Sequence, residues 1–315
     1  MSYNVTIEVL DAFSKRLHIN TALNVFVNIP TAYLILFHSS KAMGFYKYYL
    51  LYTVVTTFVM DIHQTVIHGV YVPVPSMINC CSGYCRHFGM FWGPELNYLI
   101  VHVNISVVGT GLVSLGGYRY LSIFGDAKRF ESKYSLLGIF IFGILYPVPA
   151  LMTLIFGFIV QPSEEIISFM IKDYPGISSL AKTGICSAPN GRVLGNLYGG
   201  VIGVQMALVQ GFGFFLVFKT VTVFKILKNS LSPDTYAAQK QLMLSMILQI
   251  MTPLLTLIIP ISVVMILHTF RIEVASEIAV HIMTLHAPLN GLAIILTIKP
   301  YKDALKKLII LKKIL

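Results

Sequence analysis

Residues 241–270 read QLMLSMILQIMTPLLTLIIPISVVMILHTF, thirty consecutive positions without Asp, Glu, Lys or Arg. A helix crossing the hydrocarbon core of a bilayer needs about 20 mostly apolar residues, so this one stretch already exceeds a span. The same rule picks out five more windows, at 17–40, 96–118, 134–163, 193–218 and 278–298. A seventh, around 48–72, is interrupted once, by Asp61. A carboxylate at that depth is costly and is expected to face the bundle interior. The expectation is an all-α membrane protein, a seven-transmembrane helix bundle with helices at about 17–37, 48–72, 91–120, 134–160, 194–218, 241–268 and 277–298.

The rest of the chain agrees. Of 315 residues 56% are hydrophobic and 11% charged, with a mean hydropathy of +0.77. No water-soluble globule of that composition could cover its core with polar surface, which excludes a soluble enzyme. The net charge of +10 would suggest a nucleic-acid surface in a soluble protein, but here it follows membrane sidedness. With the N-terminus outside, the inner loops and tail hold 16 Lys and Arg against 7 on the outer side. Acidic residues run the other way, 4 inside and 8 outside, with Asp61 in the membrane. Cytoplasmic loops carry excess Lys and Arg, so the C-terminus is expected in the cytosol and nucleic acid is not an expected partner. Residues 1–16 read as an extracellular N-terminus; Glu8 and Asp11 sit where a cleavable signal needs apolar residues, so the first span reads as an uncleaved anchor. The chain has neither a fixed-period repeat nor a low-complexity linker.

All four cysteines, Cys80, Cys81, Cys85 and Cys186, fall in two expected outer loops, on the oxidising side. A bridge between those loops would pin the long second one over the bundle mouth. Cys80, Cys81 and Cys85 are all possible partners of Cys186; Cys85 is favoured because it lies nearest the third helix. Unpaired thiols, or a pairing among the three, are the alternatives. The Cys-Cys-x-x-x-Cys run with His87 fits no common zinc spacing, and neither a metal nor another cofactor is expected. Asn4-Val5-Thr6 is a glycosylation sequon on the outer N-terminus. Asn104-Ile105-Ser106 lies inside a span, where Asn104 reads as a helix–helix hydrogen-bonding group.

The third span ends Gly116-Gly117-Tyr118-Arg119-Tyr120. Arg119 is a candidate for contacting a partner protein or latching neighbouring helices; a helix-end arginine reaching for lipid headgroups is the plain alternative. Pro147, Pro149, Pro253, Pro260, Pro288 and Gly291 punctuate the fourth, sixth and seventh spans and supply bends, either for switching or merely for packing. Asp61, His63, Gln64 and His68 make the second helix the most polar. They form an expected intramembrane polar site for an ion or ligand, against the alternative of hydrogen bonds to neighbouring helices. His102, His268, His281 and His286 read as packing groups. No hydrolase, metalloprotease or nucleotide-binding motif occurs in a supporting context, so no enzyme is expected. In the tail, 299–315, Leu305, Leu308, Ile309 and Leu315 share a face with Lys302, Lys306 and Lys313 opposite. That pattern predicts an amphipathic helix on the anionic inner leaflet, without a cysteine for palmitate.

Several short runs resemble one family. Tyr46-Lys47-Tyr48-Tyr49-Leu50-Leu51 is followed by Asp61-Ile62-His63 and Pro73-Val74-Pro75. Tyr118-Arg119 stands where rhodopsin-like receptors carry Asp-Arg-Tyr. Leu231-Ser232-Pro233-Asp234-Thr235 leads to Gln239-Lys240, Gln249, Pro253 and Pro260, and Lys299-Pro300-Tyr301-Lys302 follows the last span. Together these resemble the nematode serpentine chemoreceptors, seven-helix G-protein-coupled receptors of the Str superfamily, nearest the H and I classes. Two places depart from the pattern: Lys302 replaces an arginine, and Ala287 and Pro288 follow His286 where the family tends to small residues. The resemblance implies odour or taste reception at a sensory-neuron cilium. It implies a small-molecule ligand in the outer half of the bundle and a heterotrimeric G protein at the inner face, with Tyr118, Arg119, Lys240, Pro253, Pro260 and Pro288 as coupling and switch positions. A transporter or channel is the alternative, but such proteins commonly show repeats or several intramembrane ionisable groups, and this chain has one carboxylate. A relative that only traffics or pairs with other receptors is a third reading.

Overall fold

Among the described residues, seven helices are long and apolar enough to cross a membrane. They are α1 (Ile7–His38), α2 (Tyr46–His68), α3 (Phe91–Phe124), α4 (Lys133–Gly157), α5 (Val193–Ser230), α6 (Pro233–Thr269) and α7 (Glu277–Thr297), followed by α8 (Lys299–Ile314). The structure, a computed structural model, describes residues 4–74, 78–124, 126–189, 192–270, 272, 274–275 and 277–314. Of residues read from the sequence, Pro75, Arg271, Glu273 and Leu315 lie outside that set. So do the side chains of Arg129, Arg192, Leu308, Ile309, Lys312 and Lys313.

Several helices outrun the uncharged windows. An uncharged window measures the hydrocarbon slab, whereas a helix satisfies its own backbone and continues into polar surroundings with charged side chains on it. Thus α1 begins at Ile7 and carries Lys15 and Arg16, and α5 continues to Ser230 with Lys219, Lys225 and Lys228. The start of α6 is set locally: Ser232 Oγ accepts the Thr235 N–H at 3.3 Å, Pro233 opens the helix and Asp234 sits in the first turn. The second helix ends earlier than the expected residue 72. It stops at His68 because Gly69 turns the chain into the left-handed region (φ +58°), and β1 (Val70–Tyr71) follows. A Cβ on Gly69 would lie 2.4 Å from the Gly83 nitrogen, so glycine also permits this close crossing.

Beyond β1 come β2 (Pro73–Val74), β3 (Asn79–Cys81), β4 (Cys186–Ser187) and β5 (Val274–Ala275). They form an antiparallel three-stranded sheet, β1-β3-β4, and a β2–β5 pair, capping one end of the bundle. The expected Cys85–Cys186 bridge is corrected here: Cys186 is bonded to Cys80, and Cys81 to Cys85. The ladder decides it. Register sets Cys80 directly opposite Cys186, with Cα atoms 4.0 Å apart, while Cys85 lies in a short turn that folds back on Cys81. A loop helix, Ser163–Asp173, lays Ile166 and Met170 onto this cap. They join Leu10, Phe13, Tyr71 and Val280 in a buried cluster at the disulfide end.

A second cluster occupies the opposite end, where Leu34, Tyr46, Tyr49, Leu115, Tyr118 and Ile294 pack with Tyr301 and Ala304 of α8. The Tyr301 hydroxyl lies 2.7 Å from that of Ser39, and burial raises its pKa to about 12. Between the clusters, helix contacts use small residues. A Cβ on Gly143 of α4 would meet the Val107 backbone of α3 at 2.8 Å, so glycine sets how closely those helices pack.

Candidate functional site

The bundle holds a cavity of about 200 Å³ below the disulfide cap. Helices α2 to α7 line it together with Val70 and Val72, and no Asp, Glu, Lys or Arg is among the described lining residues. Its walls are chiefly Val, Leu, Ile and Met from α3, α5 and α6. Its polar corner comes from the four-residue spacing Tyr98–His102, which puts both side chains on one face of α3. His102 Nδ1 is 2.7 Å from the Tyr98 carbonyl, an acceptor only, so that nitrogen carries the proton. Nε2 then accepts the hydroxyl of Tyr198 from α5, which lies 3.1 Å from the Tyr98 hydroxyl. Tyr146 and Gln205 tie α4 to α5 reciprocally, each side chain bonding the other's carbonyl at 2.9 Å.

The residues grouped on α2 serve three separate places. Gln64 lines the cavity. His63 Nε2 meets Asn97 Oδ1 of α3 at 3.0 Å. Asp61 is fully buried and its Oδ2 accepts the Ala287 N–H of α7 at 3.1 Å. That last contact has a backbone cause. Helix α7 breaks at Thr284–Leu285 and restarts at His286, so the first amides of the second half lack partners, and Pro288 has no N–H at all. Asp61 supplies, from another helix, the anionic cap that such an N-terminus favours. Next to it, His286 Nδ1 meets Thr256 Oγ1 of α6 at 3.1 Å. Thr256 sits in the π turn Leu254–Ile258, directly after Pro253, which itself lines the cavity. Pro260, seven residues beyond Pro253, and Pro288 are buried. The bends of α6 and α7 are thus hydrogen-bonded to each other, and α7 to α2.

At the far end Arg119 is only 4% exposed, held in the bundle rather than reaching out to headgroups. Its Nη2 donates to the carbonyl of Gln239 on α6 at 3.2 Å and to the Gln239 side-chain oxygen. The guanidinium lies over the Tyr46 ring, 5.8 Å from its centre, and Tyr118 stacks on Tyr49 at 4.8 Å. The Tyr118 hydroxyl donates to Glu131 at 3.0 Å. Lys240, beside Gln239, is exposed. Asn4 is exposed near the disulfide end, where Val5 donates to the Gly176 carbonyl. Asn104 lies within α3.

Three features escaped the sequence reading. Gln239 is the partner of Arg119, 120 residues away. The corner formed by Tyr98, His102 and Tyr198 was signalled only by the spacing on α3. A stripe of asparagines, Asn20, Asn24 and Asn28, joins α1 to its neighbours: Asn20 donates to Thr284 at 2.7 Å and Asn24 to the Phe58 carbonyl at 3.3 Å. Its four-residue period is plain in the sequence.

A seven-helix membrane bundle with a lined cavity toward one end and a buried arginine at the end of its third helix is of the serpentine receptor class. The family model of the serpentine type seven-transmembrane G-protein-coupled chemoreceptor Srh matches residues 9–311, and the chain belongs to that family, a nematode chemoreceptor family and not one of enzymes. No curated protein matches the chain. Multi-pass insertion in a membrane follows from the family and the seven spans together.

Proposed function

We propose that this chemoreceptor binds a small-molecule odorant or tastant in the cavity beneath the disulfide cap and activates a heterotrimeric G protein at the Arg119 end. In this reading the N-terminus and cap face outward, Asn4 is glycosylated, and the cytosolic tail lies on the inner leaflet of the plasma membrane, at a sensory cilium. The charge asymmetry and the compartment that disulfides require both support that orientation. The observation that carries the mechanism is the continuity of α6. One helix contributes Pro253, Leu257, Ile261 and Met265 to the cavity and Gln239 to the contact with Arg119. A ligand that favours a different bend at Pro253 shifts the population of Arg119-bound and Arg119-free arrangements by its differential affinity for the two. Releasing Arg119 would open a pocket for the G protein between α3 and α6.

The test is a cell assay with epitopes at both termini and a G-protein readout across an odorant panel. The expected result is an outside N-terminus, an inside C-terminus and a ligand-dependent response that Arg119→Ala abolishes at unchanged surface expression. Wild-type signalling in Arg119→Ala would overturn the role given to that residue. An inverted topology would overturn the orientation.

A further inference from the structure

The cavity's unused hydrogen-bonding capacity specifies its ligand more narrowly, on the reading that this cavity is the ligand site. Most polar groups around it are already engaged: His102 with Tyr98 and Tyr198, Tyr146 with Gln205, and Gln210, which donates to the Ile250 carbonyl at 3.0 Å. Two are not. Gln64 is 2% exposed and its Nε2 has no hydrogen-bond partner; Ser106, 8% exposed on α3, has an unpartnered hydroxyl. Both residues line the cavity. A buried donor left unpaired is costly, and a ligand oxygen arriving there would remove that cost.

Charge points the same way. With no acidic or basic side chain among the described lining residues, an ammonium or carboxylate would enter without a counter-ion and lose its hydration. Size completes the constraint: a cavity of ~150 Å³ holds benzene, so one of about 200 Å³ suits a molecule of on the order of ten non-hydrogen atoms.

We propose that the ligand is a small neutral molecule, largely hydrocarbon, with one oxygen function that accepts a hydrogen bond from Gln64. Ketones, aldehydes, esters and alcohols fit this description; amines and carboxylic acids, ionised at neutral pH, do not. Gln64 is the residue that reads the oxygen, and the aliphatic wall reads the chain.

Purified full-length receptor in lipid nanodiscs tests this with a matched seven-carbon series: 2-heptanone, 2-heptanol, heptane, heptylamine and heptanoate at pH 7.4, with binding read from the thermal-unfolding midpoint. The ketone and alcohol are expected to raise the midpoint at lower concentration than heptane, and the two ions to leave it unchanged. Gln64→Leu, which keeps the side chain's bulk, should weaken ketone binding about fivefold to tenfold, the worth of one hydrogen bond, and leave heptane binding as it was. The comparison between variants cancels partitioning into the lipid. The proposal falls if heptylammonium or heptanoate binds as well as the ketone, if Gln64→Leu leaves ketone affinity intact, or if no neutral probe shifts the midpoint. Binding without G-protein activation would instead count against the signalling role. Activation by the amine or acid would keep that role and overturn the ligand class.

Discussion

The two ends of the bundle are held by different means. The cap end has two disulfides, a three-stranded sheet and a loop helix sealed by apolar side chains. Two ion pairs among its described residues, Arg16–Glu277 and Arg86–Asp11, are partly exposed and contribute little. The arginine end has no covalent tie among its described residues: stacked tyrosines, the Arg119–Gln239 contact and the packing of Tyr301 hold it. Covalent closure at one end leaves the other as the place where rearrangement is cheap. Rigidity is concentrated around the cavity, and the freedom to rearrange lies at the Arg119 end.

The comparison breaks most directly at Cys80. In the chain-entropy account the Cys80–Cys186 bridge, with a sequence separation of 106, is worth about 5 kcal/mol, and Cys81–Cys85, with a separation of 4, about 2 kcal/mol. Cys80→Ser should therefore lower the unfolding midpoint and surface expression well beyond Cys81→Ser; equal losses would deny the long bridge its special role. Next, Asp61→Ala should cost about 1–3 kcal/mol by leaving the Ala287 amide buried and unpaired. Asp61→Asn, which keeps an acceptor, should lose less, and denaturant titration of the two would separate capping from charge. At the arginine end, Gln239→Ala removes about 1 kcal/mol of latch and should raise ligand-free G-protein activation about fivefold. Unchanged basal activity would mean that the contact does not restrain α6. The smallest effect is expected for Tyr301→Phe, about 0.5–1 kcal/mol from the hydroxyl near Ser39, visible only as a slight midpoint shift. With a pKa near 12 that hydroxyl stays neutral at physiological pH, so the shift should not depend on pH between 6 and 9.

How much of this the sequence discloses depends on the range of the interaction. Membrane spans are legible because the bilayer imposes the same requirement on every residue of a window, as in 241–270. Helix ends are less so, because Lys219 or Lys225 can extend a helix into headgroups without ending it. The disulfide partner is illegible from spacing: Cys80, Cys81 and Cys85 all lie near enough, and the choice rests on the β3–β4 register. Asp61 stands out as a buried charge, yet its partner is a backbone N–H that exists only because α7 breaks at Thr284–Leu285. Arg119 is marked by its position at a helix end, but Gln239 is an ordinary residue until the fold delivers it. Gln64 looked like one member of a polar group, and only the cavity separates it from Asp61 and His63.

The length of α6 below its proline has a mechanical consequence. Fourteen residues separate Gln239 from Pro253, roughly 20 Å of helix at about 1.5 Å per residue. A hydrogen bond near 2.9 Å is lost once its atoms part by about 0.6 Å. At the tip of such a lever that displacement needs a tilt of only about 2° at the pivot. A change of packing no larger than one methyl group beside Pro253 is therefore geared up into a broken contact at the other face. The gain is fixed by the arm's length alone.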